Sequence, residues 1–406
     1  MGRIAIISVD GHVKASRAQY RDYIEKKYLE VYDKQVKAAE EAGLRDAGNL
    51  HMDFDPAVQW DSDLRMKNLE SKGVVAEVLF PNGRPFQVNG LDDFARSENV
   101  ELAEEGRRAY NRWLVDFCSL APERRRGQMQ ISLEDVDRAV DDIYWAKEHG
   151  LGGIGLPAPP AGTFFFDPRF DPVWAAAEEA GLVISQHGGA GLPGFSPPGF
   201  AAILTIMTEN AFFSSRSLWQ LIAGGVFDRF PNLKMAYIET QLMFLIPAIA
   251  NLDMILGADN DVMGFARMMN RDRSVQRLAS EYFQTNIFVG VSPFSPRQIP
   301  THAASGMDAM GELLGITSEQ RSLPGFHIGV DACMFGVDYP HFESIFERVS
   351  EEVADLVGAP GVTEDDVHKV LFENAAEVYG FDLAALQPDI ERIGFETGDL
   401  LVTASA

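Results

Sequence analysis

The segment IAIISVDGH, residues 4–12, decides the fold. It is an apolar run, largely β-branched, that ends in Asp10-Gly11-His12, and such a run is typical of a strand buried on both faces. Three later apolar runs repeat this arrangement, and they lead into His187, into Glu239, and into Asp338-Tyr339-Pro340-His341. Side chains at the carboxyl ends of parallel barrel strands meet at one mouth. The four segments together predict a metal-dependent barrel.

Eight candidate strands alternate with helical stretches along the chain. They lie at residues 4–9, 74–79, 127–131, 153–156, 182–187, 235–238, 287–289 and 333–336. Strands that alternate with helices favour a parallel sheet, and eight of them favour closure into a barrel. We therefore predict an α/β fold, a (β/α)8 barrel over residues 1–382 with a C-terminal tail at 383–406.

Two long insertions interrupt this pattern, at residues 13–60 and 290–330. Both follow predicted strands and emerge at the carboxyl-terminal face of the barrel, where loops commonly close over a substrate. Each insertion is a candidate lid, and the alternatives are surface decoration or an oligomer contact.

The composition narrows the classes of partner. Of 406 residues, 46% are apolar, while 35 basic and 60 acidic side chains give a formal charge of −25. Such an acidic surface repels phosphate backbones, so nucleic acid and anionic membranes are poor candidate partners.

No apolar stretch is long enough to span a bilayer and the N-terminus shows no signal pattern, so we expect a soluble cytoplasmic protein. Cys118 and Cys333 are expected to be buried thiols.

The predicted strand ends carry a mixed set of metal-binding groups. Asp10 and His12 are two residues apart, and residues at that spacing face the same side of a strand. His187 and Asp338 complete a set of two imidazoles and two carboxylates, although Asp10 could instead orient His12. Mixed nitrogen and oxygen ligands suit Zn²⁺, Mn²⁺ or Fe²⁺. We predict one or two such ions per chain.

Two further side chains are candidates for moving a proton. Glu239 could act as a general base, as a ligand that bridges to a second ion, or as a partner that orients a ligand. A carboxylate at the end of a buried strand is costly unless something compensates its charge, which favours a functional role. His341 has the spacing to turn back toward the mouth, or it lies in a surface loop. Glu239, Asp338 and His341 are the predicted catalytic residues, and Glu239 is also a candidate metal ligand.

The loops after the fourth and fifth strands are rich in phenylalanine. The residues concerned are Phe164, Phe165, Phe166, Phe195, Phe200 and Phe212. Most aromatic residues belong to cores, but loops of this composition near strand ends predict a substrate with an apolar body. Arg216, further along, could hold a substrate carboxylate or form a surface ion pair.

Over nearly its whole length the chain resembles the amidohydrolase-related proteins of the aminocarboxymuconate-semialdehyde decarboxylase type. The segments that carry the resemblance are Asp10-Gly11-His12-Val13, Arg65, Gly73-Val74-Val75-Ala76-Glu77, Phe80-Pro81, Tyr110-Asn111-Arg112-Trp113, Gln186-His187, Gly225-Val226-Phe227-Asp228-Arg229-Phe230-Pro231 and Val337-Asp338-Tyr339-Pro340-His341. The resemblance implies a distorted TIM barrel, often a homodimer or larger homo-oligomer. It places metal ligands at His12, His187 and Asp338, with Asp10 where many members carry a histidine.

One departure bears on the reaction, because the decarboxylases of this type carry a catalytic histidine where this chain has Glu239. The resemblance implies a metal-dependent hydrolase or non-oxidative decarboxylase acting on a carboxylated or carbonyl-bearing small molecule. A carboxylate-rich site could also hold two ions, which keeps a non-heme iron or diiron oxygenase as an alternative. A barrel that binds a ligand without catalysis is a third hypothesis.

Overall fold

The computed structural model of the chain describes residues 3–47, 50–51, 53–86, 99–188, 199–240, 242–256, 274–291, 330–358 and 362–396. Eight parallel strands form one sheet in the order of the sequence. They are β1 (Ile6–Val13), β2 (Val74–Pro81), β3 (Arg125–Gln130), β4 (Gly153–Gly155), β5 (Val183–His187), β6 (Met235–Ile238), β7 (Ile287–Val291) and β8 (Cys333–Phe335). A parallel bridge between Gly11 and Tyr339 brings the two ends of the sheet together. The predicted α/β TIM barrel is confirmed.

Helices alternate with these strands along the chain. Those in the described ranges are α1 (Arg17–Tyr20), α2 (Leu29–Glu41), α3 (Ser62–Glu70), α4 (Val100–Ser119), α5 (Val136–Glu148), α6 (Asp171–Ala180), α7 (Phe200–Ala223), α8 (Val226–Arg229), α9 (Leu242–Leu256), α10 (Val349–Val357), α11 (Glu364–His368), α12 (Asn374–Tyr379) and α13 (Leu383–Ile393). Local chemistry sets several of their ends. The Asp135 side chain accepts a hydrogen bond from Arg138 N at the start of α5, and Gly181 ends α6 in the left-handed conformation.

The first insertion, predicted at residues 13–60, carries α1 and α2 and is fastened to the barrel. Tyr20 donates its hydroxyl hydrogen bond to Gly83 O, and His51 N donates to Pro340 O. Most of the second insertion, from 292 to 329, lies outside the described residues. The lid function of both insertions stays a prediction.

The chain returns to the amino-terminal end of β1 after its last helix. Ile4 and Phe395 form an antiparallel bridge, with hydrogen bonds of 2.7 and 2.9 Å between their backbones. The predicted boundary between the barrel and residues 383–406 stays a prediction. Cys118 and Cys333 are both buried, as expected from the sequence. No helix in the described part of the chain is long and apolar enough to cross a membrane.

Candidate metal centre

A β-bulge places the first two predicted ligands. Ser8 pairs with Glu77 and Gly11 with Leu79, so β1 has one residue more than β2 between these points. Such a bulge re-aims side chains and is common beside active sites. The sequence had predicted that Asp10 and His12 lie just beyond the end of the strand. In the structure β1 extends to Val13, so both residues lie within it, and both are buried.

Hydrogen bonds across the closing seam of the barrel fix the backbone of the ligands from both strands. Asp338 N donates to Asp10 O at 2.9 Å, and His12 N donates to Tyr339 O at 2.8 Å. The Ser8 hydroxyl accepts from Val337 N at 3.0 Å and donates to Asp10 O at 2.9 Å. These hydrogen bonds hold Asp10 and His12 of β1 beside Asp338, which follows β8.

The four predicted ligands converge in the mouth. Asp10 Oδ1 lies 3.1 Å from His12 Nε2 and 3.3 Å from His187 Nε2, and Asp338 Oδ1 lies 3.3 Å from His12 Nε2. Metal bonds of about 2.0–2.2 Å place neighbouring ligand atoms roughly 3.0–3.5 Å apart. Both oxygens of Asp338 are buried and accept no hydrogen bond from any described residue. The donor set therefore fits a divalent cation.

Glu239 follows β6 directly and faces His187. Its Oε2 lies 3.5 Å from His187 Nδ1. A Cβ on Gly188 would come within 2.8 Å of Glu239 O and Oε2, so this close approach requires glycine at position 188. Glu239 itself has φ +56°, and Asp338 has φ +59°. Non-glycine residues held in this region concentrate at functional sites.

Burial and neighbouring charges shift the pKa values of His12 and Glu239 in the mouth. Burial would lower the pKa of His12, but its contacts with Asp10 and Asp338 raise that pKa to about 10. Burial raises the pKa of Glu239 well above its usual range, and the nearby charges of Asp338 and Asp10 add to the effect. The sequence left three roles open for Glu239, as a general base, a bridging ligand or an orienting partner. The raised pKa adds a fourth, a protonated carboxyl group that can donate its proton.

His341 does turn back toward the mouth, and a polar chain from the first insertion orients it. Its Nε2 lies 3.1 Å from Asn82 Oδ1, while Asn82 Nδ2 donates to Gln59 Oε1 at 2.7 Å. This pattern assigns the proton of neutral His341 to Nε2. Nδ1 then faces Asp338 Oδ1 at 2.9 Å.

Glu343 completes the mouth, and sequence reasoning missed it. Its carboxylate forms a potential metal-binding group with Glu239 and Asp338, and Oε2 is buried without a hydrogen bond from the described residues. Burial raises the pKa of Glu343, as does the charge of Asp338. The available signal was its position two residues beyond His341, but only the path of the loop shows that it turns inward.

The predicted aromatic residues divide into two sets. Phe165 is buried, whereas Phe164, Phe166, Phe200 and Phe212 are exposed. Phe195 lies outside the described residues. The aromatic ring that does touch the candidate ligands is Phe80, whose centroid lies 4.7 Å from that of His187.

Arg216 is half-buried on α7. It lines a cavity of about 310 Å³ together with Phe164, Phe213 and Gln186. Gln186 precedes His187 on β5, but consecutive strand residues point to opposite faces, and no candidate metal ligand among the described residues lines the cavity. A role of Arg216 in holding a substrate carboxylate stays a prediction.

A family profile described as amidohydrolase matches residues 32–252 and 322–381, well over half of the chain. The chain belongs to this amidohydrolase family. The match takes in the predicted ligands His187 and Asp338, together with Glu239 and His341. The family expected from the sequence motifs is therefore confirmed.

Individual relatives are distant but extend along most of the chain. The γ-resorcylate decarboxylase of Rhodococcus jostii is 22% identical over 364 residues, covering 81% of this chain and 93% of the relative. An amidohydrolase structure from Mycobacterium avium subsp. paratuberculosis has a TM-score of 0.61 at 19% identity, covering 94% and 99% of the two chains. The 5-carboxyvanillate decarboxylase of Novosphingobium aromaticivorans, solved with manganese and 4-hydroxy-3-methoxy-5-nitrobenzoic acid, has a TM-score of 0.58 at 16% identity, covering 93% and 96%.

Proposed function

We propose that this protein is a divalent-metal-dependent, non-oxidative decarboxylase of a small aromatic carboxylate. The observation that carries the proposal is the set of donor atoms on His187, Asp10, His12 and Asp338, in which each atom lies 3.1–3.3 Å from the next in that order. The donor set suits Mn²⁺ or Zn²⁺, and solved decarboxylases of similar fold contain manganese.

The bound cation would supply positive charge that attracts the substrate's carboxylate and adjacent oxygen and stabilises negative charge developing in the reaction. His12 Nδ1 lies 3.4 Å from Pro81 O and His187 Nδ1 lies 3.1 Å from Gly188 O, and these contacts orient the Nε2 atoms of both rings toward the centre. Backbone hydrogen bonds between β1 and the segment after β8 hold Asp10, His12 and Asp338 in place, so little reorganisation is needed when substrate arrives.

Glu239 is assigned as the proton donor. In a decarboxylation the bond between the ring carbon and the carboxylate breaks, its electron pair stays on the ring carbon, and carbon dioxide leaves. A proton from the Glu239 carboxyl forms the new C–H bond, and water returns a proton to Glu239. The raised pKa of Glu239 supports this role, because a carboxyl group must hold a proton near neutral pH in order to donate it. His341, whose Nδ1 lies 2.9 Å from Asp338 Oδ1, is a second group able to relay protons.

The substrate is proposed to have an apolar body with its carboxylate directed at the cation. The chain carries a formal charge of −25, so a small, highly charged anion would be repelled from the surface. Phe80 beside His187 offers an aromatic face to a ring held at the centre. In a series of inhibitors with one head group, each added methylene that is buried should tighten binding by about 0.8 kcal/mol.

The test is an assay of the manganese-loaded protein with 2,6-dihydroxybenzoate, 5-carboxyvanillate and related hydroxybenzoates. We expect release of one carbon dioxide and one phenol per substrate consumed, with no uptake of oxygen. Fully loaded protein that releases no carbon dioxide from the panel but hydrolyses lactone or ester analogues would replace the decarboxylase with a hydrolase.

An iron-dependent oxygenase on the same barrel is the second candidate. The observation that favours it is the carboxylate-rich mouth, where Glu239, Asp338 and Glu343 add oxygen donors of the kind that suit iron. Iron retained through purification, together with substrate-dependent oxygen consumption, would support this candidate over the decarboxylase.

A further inference from the structure

Three carboxylates converge beside the proposed metal centre. Glu239, Asp338 and Glu343 can each offer one oxygen so that all three oxygens lie within 4.8 Å of one another. Asp338 is wholly buried, and the side chains of Glu239 and Glu343 are 19% and 26% exposed. Three carboxylates this close repel one another strongly unless a cation lies between them.

The hydrogen bonding of this group points to a ligand. Neither oxygen of Asp338 accepts a hydrogen bond from a described residue, and Oε2 of Glu343 is also buried without one. A buried carboxylate oxygen left in this state costs free energy, so natural proteins satisfy such atoms with hydrogen bonds, ions or water. One cation at Asp10, His12 and His187 would engage one Asp338 oxygen and leave the other, together with the Glu343 carboxylate, unsatisfied.

A nitrogen donor stands next to these oxygens. His341 Nδ1 lies 2.9 Å from Asp338 Oδ1 and 4.0 Å from Glu343 Oε1, and it makes no hydrogen bond with the described residues. Since Nε2 of the same ring is held by Asn82 Oδ1, the lone pair of the neutral ring at Nδ1 is directed at the carboxylates.

We propose that Glu239, Asp338 and Glu343, with His341 Nδ1 beside them, form a second site for a divalent cation. The inference rests on the proposed function, because the second site shares Asp338 with the proposed metal centre and also uses Glu239. A cation there would be bound by the carboxylate from which Glu239 is proposed to donate its proton. Occupancy of the second site would therefore inhibit decarboxylation.

The probe is Mn²⁺ added to the full chain after chelation of bound metal. We expect two Mn²⁺ per chain at saturation by elemental analysis. Two ions sharing Asp338 would lie about 4 Å apart, so their electron paramagnetic resonance spectrum should show spin coupling. In the Glu343→Gln variant the second ion should bind at least about tenfold more weakly, and the spectrum should become that of isolated Mn²⁺.

Glu347→Gln is the matched control, since it removes the same charge four residues further on. Glu347 is exposed and pairs with Lys72, so this variant should still bind two coupled ions. One Mn²⁺ per wild-type chain at saturation, or two coupled ions in Glu343→Gln, would overturn the second site. The wild-type spectrum decides the matter even if Glu343→Gln does not fold.

Activity separates this inference from the proposed function. The decarboxylation rate should rise with the first equivalent of Mn²⁺ and fall with the second in the wild type and in Glu347→Gln. Decarboxylation with only one ion bound at saturation would leave the function standing without the second site. Two coupled ions with no decarboxylation at any loading would leave the second site standing and overturn the function.

Discussion

Two buried carboxylates in neighbouring parts of the barrel have opposite surroundings. Glu77, on β2, is 1% exposed and accepts hydrogen bonds from Arg65 Nε at 2.9 Å and Arg65 Nη2 at 2.7 Å, with Arg125 at 3.6 Å. Asp338, in the mouth, is 0% exposed and accepts none from the described residues. Within ion-pair distance it faces the imidazoles of His12 and His341.

The difference separates a carboxylate placed for structure from one placed for a ligand. Glu77 has a permanent countercharge within the protein. Asp338 has a rare backbone conformation, and its carboxylate oxygens accept no hydrogen bond from the described residues. The two regions are connected, because Arg65 also donates to His12 O at 3.0 Å. The Arg65–Glu77 pair therefore also supports the backbone of the metal site at His12.

The largest effect on activity should come from removing a ligand of the proposed cation. His187→Ala removes one of two imidazole donors to the first centre and leaves the barrel packing intact, because the ligand lies at the mouth. We expect loss of bound metal and a fall in kcat of at least about a thousandfold, as expected when an electrostatic stabiliser is removed. Elemental analysis and circular dichroism check this, and full metal occupancy in the variant would contradict it.

Removing the countercharge of Glu77 should act on stability instead. Arg65→Met removes the hydrogen bonds to the buried Glu77 carboxylate and leaves it, among the described residues, only the longer contact with Arg125, which should lower the free energy of unfolding by about 3–5 kcal/mol. Denaturant unfolding of the metal-free protein measures it. The double variant Arg65→Met/Glu77→Leu should recover little of the loss, because the fully buried Arg125 would then lose the carboxylate that it faces at 3.6 Å. If Arg65→Met is as stable as the wild type, Glu77 and Asp338 do not differ in the way argued.

Glu239→Gln tests the proton donor while keeping the side chain's shape. We expect kcat to fall by roughly a hundredfold, the usual contribution of a general acid, with the first cation still bound. Loss of the first cation would make Glu239 one of its ligands. An unchanged rate at full metal loading would remove Glu239 from the reaction.

The barrel was predictable because most of its strands are apolar runs of a kind that only a doubly covered sheet can bury, although β3, with the sequence RRGQMQ, is polar. All eight were placed, and β6 matches at both ends. Asp10, His12, His187 and Asp338 were found because each lies on or just beyond such a run. Their roles, and that of Glu239, remain predictions.

What could not be predicted depends on contacts between distant residues. The extra residue in β1 is visible only when β1 is aligned with β2, and it moves Asp10 and His12 into the strand. Glu343 enters the mouth because the loop after β8 turns inward there. Gln59 and Asn82 orient His341 across segments that no local pattern connects.

This polar chain gives a smaller effect than the ligands themselves. Asn82→Ala removes the acceptor that holds His341 Nε2 and should lower kcat about tenfold, as for other partners that orient a functional histidine. Asn82→Asp keeps an oxygen acceptor and should recover part of the rate. A shift in melting temperature without a change in kcat would limit Asn82 to a structural role.

The smallest effect concerns a carboxylate paired with arginines near the surface. Glu70, the last residue of α3, accepts hydrogen bonds from Arg392 at 2.6 and 2.7 Å and from Arg124 at 2.6 Å. The hydrogen bonds from Arg392 are the largest cause that lowers the pKa of Glu70 to about 2, and Arg124 adds to them against the effect of burial.

Because folding lowers this pKa, the ionised Glu70 stabilises the fold above pH 4.5, its ordinary value, and the contribution is lost as the pH falls toward 2. Partly exposed pairs contribute little, so Glu70→Gln should cost no more than about 1 kcal/mol at pH 7. The cycle of Glu70→Gln, Arg392→Met and the double variant isolates the pair. Its coupling energy should be constant from pH 6 to 8 within error and decline below about pH 4.5. A coupling that grows on acidification would mean that the arginines do not stabilise the ionised carboxylate, and the contrast with Asp338 would then be confined to Glu77.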